Sequence, residues 1–202
     1  MKKYKLTNKS IIIDGRKLYR IEALKDFSDI EKGDKGGFIE SEKNLSQAGS
    51  CWVFNDAMVY DNARIYDDAR IYNNAEVYEN AEVWGSAEVS GHARIYGNAR
   101  AAGNVWVYEE AEVSGYAIVH GNARIIGDAK VADNSDYIVF KNWWSSGRYF
   151  TWTRSNNMWR VGCFYGTGEE LIAKAYKDSE ISGREYERVV KYVESILKDS
   201  KL

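Results

Sequence analysis

Residues 141–165 read KNWWSSGRYFTWTRSNNMWRVGCFY and gather the residue types best suited to holding a flat anion. Trp143, Trp144, Trp152 and Trp159 stand among Arg148, Arg154 and Arg160. Indole faces stack on planar groups, and guanidinium forks match phosphate or carboxylate. Gly166-Thr167-Gly168 follows and leads into a helical pattern. A helix N-terminus after a Gly-rich turn can hold phosphate, so Thr167 and Gly168 join the candidate ligand-binding set. The rival is structural. These tryptophans also suit the core of a small domain, and Thr167 suits a helix cap. His92 and His120 are the two histidines. His92 fills a slot mostly taken by Asn or Asp, and His120 an outward slot. Both fit tolerated polar positions better than general bases. Two histidines in such slots do not make a three-histidine metal site.

What must position these residues is a six-residue beat, Ala-x-(Val/Ile)-x-x-(Asn/Asp/Ser/Gly). The ninety residues from Leu45 to Asn134 divide into fifteen such hexads without a break. Residues two apart share one face of a strand, so Ala57 and Val59 point inward and their neighbours outward. Asn, Asp or Gly then allows a corner. The outward slot before each Val/Ile reads Arg64, Arg70, Glu76, Glu82, Glu88, Arg94, Arg100, Trp106, Glu112, Ile118, Arg124, Lys130. Pairing each with the residue 18 further on sets Arg64 against Glu82, Glu82 against Arg100, Arg70 against Glu88, and Glu76 against Arg94. Opposite charges across paired strands are favourable. Three hexads per turn therefore predicts a triangular parallel β-helix of five coils, roughly 24 Å long. Each surface pair contributes about 0.5 kcal/mol and chiefly fixes register.

Stacked 18 apart on the coil faces are Tyr60, Tyr78 and Tyr96, then Phe54 and Tyr72 with Tyr108 further on, then Tyr66 and Trp84. Trp52 and Trp106 occupy adjoining outward slots. Rows of exposed aromatics mark interfaces, and they also stabilise strand pairing with no partner at all. The oligomer-interface candidates are Trp52, Phe54, Tyr60, Tyr72, Tyr78, Tyr96, Trp106 and Tyr108.

The repeat resembles the hexapeptide-repeat, left-handed parallel β-helix proteins, over about 90 of 202 residues. The left hand is implied by the resemblance alone, because parallel crossovers ordinarily favour the right. The runs LYRIEALKDF and GGFIESEKNLS also look like the start of small prophage-type proteins with this repeat, labelled only as transferases of unassigned function or as uncharacterised. The resemblance implies a trimer packed side by side along the coils. It also implies, for the acyltransferases on this scaffold, a histidine base and acyl-CoA held between subunits. His92 or His120 would serve as that base. The loop those enzymes push out of the coils has no counterpart in Leu45–Asn134.

Flanking the repeat, residues 1–44 predict a β-hairpin cap around Asp14-Gly15, with Asn44 in a corner slot. Residues 135–202 predict a small α+β domain: a strand Tyr137–Lys141, a hairpin around Ser155-Asn156-Asn157, and helices Gly168–Lys177 and Gly183–Lys198 separated by a turn. With 28 basic and 30 acidic residues the net charge is −2, which disfavours nucleic acid and basic membrane contacts. No apolar run approaches a membrane span, and the three isoleucines at 11–13 are too short for a signal peptide. Cys51 takes an inward slot, and Cys163 lies in an apolar stretch read as strand; two such cysteines fit a reduced, cytoplasmic protein, the host cytoplasm if the chain is phage-encoded. The chain reads foremost as a non-enzymatic, oligomeric binding protein with no cofactor, taking a phosphorylated, nucleotide-like ligand or a host protein. An acyl-CoA-dependent transferase and a structural assembly module are the alternatives.

Overall fold

The computed structural model describes residues 2–199; residues 1 and 200–202, at the outer ends of the expected terminal segments, lie outside it. Leu45–Asn134 winds as a parallel β-solenoid with three faces and about five coils. Strand partners are 18 residues apart: Arg64 faces Glu82, Glu76 faces Arg94, and Glu88 faces Trp106. Rungs are tied by backbone bonds such as Arg64 N–H to Ala81 O at 2.9 Å. The inward Ala and Val/Ile of the hexads are sealed from solvent, Ala57, Val59, Ala75 and Val77 among them. Each such Val or Ile contributes about 1.5–3 kcal/mol, so the repeat supplies its own core.

The corners reveal which hexad position makes the turn. From Gly49 to Gly127 the fifth residue of each hexad has positive φ, as at Asp61, Asp67, Asn73, Glu79, Gly85 and Gly97. Glu79 and Glu109 adopt it too, at a cost of about 1 kcal/mol. At Gly85 a side chain would also collide, since a Cβ would lie 2.8 Å from Gly103 N. The winding stops at the last hexad. Its fifth residue, Asp133, is extended at φ −139° and caps a 3₁₀ turn over Asn134–Asp136.

The charge ladders form as the 18-residue pairing predicts, with two exceptions. One is Glu76, which faces Arg94 in register without an ion pair among the described residues and accepts instead from the Tyr60 hydroxyl at 2.9 Å. Glu82 lies 3.6 Å from both Arg64 and Arg100, and Glu112 lies 2.7 Å from Arg94 and 3.4 Å from Lys130. Arg70, expected on Glu88, turns instead to Asp29 in the N-terminal segment.

That segment is more than a lid. Strands Tyr4–Ile13 and Arg16–Ala23 form the expected hairpin; Lys35–Ile39 adds to it and pairs in parallel with Met58–Val59. The hairpin thus extends one solenoid face, called here the Tyr78 face. Leu18 and Phe38 cover Tyr60 on its outer side. Between strands, Phe27 packs edge-on to Trp52 at 5.4 Å, with Tyr4 at 6.1 Å. Lys3 is fully buried, its Nζ 2.9 Å from Cys51 O and 3.3 Å from Cys51 Sγ. Asn44 donates to Asp61 O and Ala63 O, closing the first corner from within.

At the other end, strands Tyr137–Lys141, Tyr149–Thr153, Met158–Val161 and Phe164–Gly166 make an antiparallel sheet. Helices α1 (Gly168–Asp178) and α2 (Glu180–Asp199) pack on it through Leu171, Val190 and Val193. The turn expected over 179–183 is shorter. Ser179 is extended, and α2 begins at Glu180, one residue after α1's cap. Cys163 lies exposed between two strands rather than within one.

The junction with the solenoid is chemically specific. In the body of the solenoid each rung N–H finds a carbonyl of the next coil. On the last coil side-chain oxygens take over, one per face. Ile118 N–H donates to Asn134 Oδ1 (2.7 Å), Arg124 N–H to Thr151 Oγ1 (3.0 Å), and Lys130 N–H to Ser155 Oγ (2.7 Å). Sheet edges are thereby closed without a sixth coil.

Candidate anion-binding cleft

The C-terminal sheet leans over the solenoid face that carries Trp52, Arg70, Glu88, Trp106 and Arg124 as successive rungs. Between them lies a cleft of about 380 Å³, whose lining includes Glu88, Trp106, Arg124, Arg148 and Tyr149. Arg124 is a ladder residue. Its guanidinium sits over the Trp106 ring at 4.4 Å, and its NH1 donates to Gly162 O at 3.2 Å. Arg148 reaches the same turn from the neighbouring strand; its Cδ lies 3.3 Å from where a Cβ on Gly162 would be. Gly162 has φ +58°. Its bare Cα therefore serves both backbone and approach. Behind the turn, Arg160 NH1 donates to Cys163 O at 3.3 Å, and its Nε is buried with no hydrogen-bond partner. Among the described residues, none of these three arginines has a carboxylate within ion-pair distance. Burial pushes the phenol of the adjacent Tyr108 up, while the Arg160 and Arg124 charges pull it down.

Two guanidiniums without ion-pair partners, Arg124 and Arg148, beside a half-open indole can bind an anion attached to a flat group. Charge-assisted bonds in a partly dry cleft are stronger than their counterparts in water.

The structure divides the expected ligand set. Arg148 lies against Gly162 and lines the cleft, while Arg160 sits behind the turn on Cys163 O. Arg154 does not join them: it bonds Ser135 O and lies 3.9 Å from Asp136. Trp159 is 2 % exposed and Trp144 packs against Phe150 and Tyr186, so both are core, as is Trp152. Trp143 is 81 % exposed and contacts Trp144 edge-on. Thr167 caps α1 in a box with Glu170. Glu169 and Glu170 already place negative charge at that helix N-terminus, and a Cβ on Gly168 would lie 2.7 Å from Val190 Cγ1. Those carboxylates disfavour phosphate at that turn, which borders a cleft of about 280 Å³. The periodic pattern did not single out Arg124 and Trp106 as cleft residues, because both occupy ladder slots. Their signal was Trp106 breaking the alternation of charge.

His120 is exposed and lines a second cleft of about 530 Å³ with Ile118, Tyr137, Val139 and others. The two clefts share Asn122 and Tyr149 as walls. His92 sits apart, on an exposed corner, its N–H bonded to Glu109 O. No group of three or more His, Cys, Asp or Glu among the described residues is arranged to hold a metal.

The aromatic interface candidates also separate. Trp52 is 1 % and Tyr60 5 % exposed, covered by the N-terminal segment, so neither presents an open surface. Tyr78 stacks between Tyr60 and Tyr96 at 5.1 Å on each side. Phe54 stacks on Tyr72 at 4.4 Å, and Tyr108 meets Trp106 edge-on with Arg160 at 5.8 Å from its ring.

Residues 63–79 and 93–109 match the family described as YdcK Beta solenoid repeat. In those two stretches the solenoid is similar to that repeat. A curated relative from Escherichia coli (strain K12), named "Uncharacterized acetyltransferase YdcK", is 38 % identical over 63 residues. The match covers 27 % of this chain and 19 % of that relative, so the chain spans about a fifth of the curated relative's length. What is shared is the YdcK-type coil. No helix among the described residues is long and apolar enough to cross a membrane.

Proposed function

We propose that this is an oligomeric, non-enzymatic binding protein whose cleft beside Gly162 takes a phosphorylated, nucleotide-like ligand. The observation that carries this is the convergence of Arg124 and Arg148, without ion-pair partners, at Gly162 next to Trp106. The solenoid is the rigid stalk, and the C-terminal sheet is the second wall. Such a protein sequesters its ligand, or meets a host protein if the chain is phage-encoded. Side-by-side packing of solenoids, as a trimer, is the assembly to look for by native mass spectrometry.

Isothermal titration with pyrophosphate and nucleoside monophosphates tests the site. Wild type should bind, and the Arg124→Ala/Arg148→Ala double variant should lose at least tenfold in affinity, as expected for charge-assisted contacts. Equal binding by the two proteins, or none by wild type, defeats the proposal.

A second reading is favoured by His120 and by the name of the relative. CoA is itself phosphorylated and nucleotide-like. Its thioester would lie in the adjoining cleft, with His120 as general base for an acceptor hydroxyl or amine. Acetyl transfer that disappears in His120→Ala would establish it.

A further inference from the structure

Glu88 is the odd charge in the cleft. Its ladder neighbour on one side is Arg70, which is engaged by Asp29, and on the other Trp106. Among the described residues it makes no ion pair, and its carboxylate is a wall of the same cleft as Arg124 and Arg148. The cleft is therefore polarised along the ladder. A free carboxylate stands on one rung, an indole on the next, and a guanidinium on the one after.

A carboxylate is an acceptor on both oxygens. It rewards a flat group that offers two adjacent donors. Guanine does so through N1–H and its exocyclic N2 amine. Adenine and cytosine set an acceptor beside their amine, and uracil flanks its N3–H with two acceptors. An acceptor opposed to a carboxylate leaves both desolvated and unpaired, which is why hydrogen-bonding sites reject near-isosteres strongly. Base recognition in proteins commonly joins aromatic or Arg stacking to bonding along the Watson–Crick edge.

Resting on the anion-site reading above, we infer that the ligand is a guanine nucleotide. Glu88 takes the N1–H and N2–H edge, Trp106 lies against the base, and Arg124 with Arg148 hold the phosphate.

Titration with GMP and AMP, on wild type and on Glu88→Gln, decides the matter. A bidentate base contact is worth about tenfold or more in discrimination, so wild type should favour GMP by that factor. Glu88→Gln replaces one acceptor by a donor and should erase the preference while still binding both. Glu88 is outward and unpaired, so an unchanged melting curve is expected for the variant. Equal binding of GMP and AMP, both lost in Arg124→Ala/Arg148→Ala, would overturn the guanine assignment and leave the anion site standing. A preference for AMP would overturn it and favour the CoA reading. Binding of neither would remove the site and the assignment together.

Discussion

The guanidinium of Arg70 holds both carboxylate oxygens of Asp29, at 2.9 and 2.5 Å, although Glu88 stands next to it on the ladder. Ser28 Oγ, 2.8 Å away, fixes the same guanidinium. A loop residue has thereby withdrawn a cation from the coil surface, and Glu88 is left free to face the cleft. The Arg70 contact also holds the Asp29 carboxyl below its ordinary range.

Asp29→Ala should release Arg70 to Glu88. Asp29 is largely exposed, so the stability loss should stay below about 1 kcal/mol. The informative readout is ligand binding. Once Glu88 is paired with Arg70, any preference for GMP over AMP should fall, and a preference that persists would show that Arg70 does not reach it.

Thr151→Val tests the closure of the last coil. The methyl replaces Oγ1 and strands the Arg124 N–H beneath a residue that is 2 % exposed. An orphaned buried donor costs about 1–3 kcal/mol. Urea unfolding should show that loss, and hydrogen exchange at the Arg124 amide should speed up. Thr151→Ser, which keeps the acceptor, should do neither.

Tyr78 lies within 3–4° of parallel to Tyr60 and Tyr96. Tyr78→Ala removes two stacks and should cost about 2 kcal/mol, each pair contributing about 0.5–1.5 kcal/mol beyond buried area. Tyr78→Phe keeps both rings and should change stability by less than about 0.5 kcal/mol. Burial pushes the Tyr78 phenol up to about 12, so no titration of Tyr78 is expected near neutrality.

Glu112 gives the solenoid an acid-sensitive point. Burial alone would raise its carboxyl, but the bonds from Arg94 (2.7 Å) and Tyr96 (3.1 Å) prevail and hold it below the usual range. A depressed folded value means the folded state favours the carboxylate. Its contribution is complete above the unfolded value of about 4.3 and is lost as pH falls through the folded one. Glu112→Gln should lower stability at pH 7 by about 1.5–3 kcal/mol, the worth of a hydrogen bond to a charged group. It should also flatten the decline in melting temperature below pH 4.5. A variant with an unchanged acid limb would place that sensitivity elsewhere.

The sequence by itself determined the solenoid. Its core positions repeat every six residues, and its charges alternate every 18. Local periodicity and nearest-rung electrostatics decide such a fold, so Arg64–Glu82–Arg100 was legible without coordinates. The terminal hairpins and helices were legible too, because Asp14-Gly15 and the stripe through Val190 and Val193 are local signals. What only the tertiary structure decided is which segments cross the repeat. The Asp29 loop buries Trp52 and takes Arg70. The Ser155 and Thr151 side chains end the ladder, and the Gly162 turn brings Arg148 to Arg124. These contacts join residues 24–41 positions apart in the chain, as Arg124–Arg148 and Asp29–Arg70 do. No periodicity encodes them, because they depend on how a non-repeating segment packs across a repeating one. The candidate ligand residues read within 141–165 are therefore split. Arg148 lines the cleft, Arg160 sits behind the Gly162 turn, and Trp152 and Trp159 are core, while the solenoid supplies the indole, the carboxylate and the other arginine of that cleft.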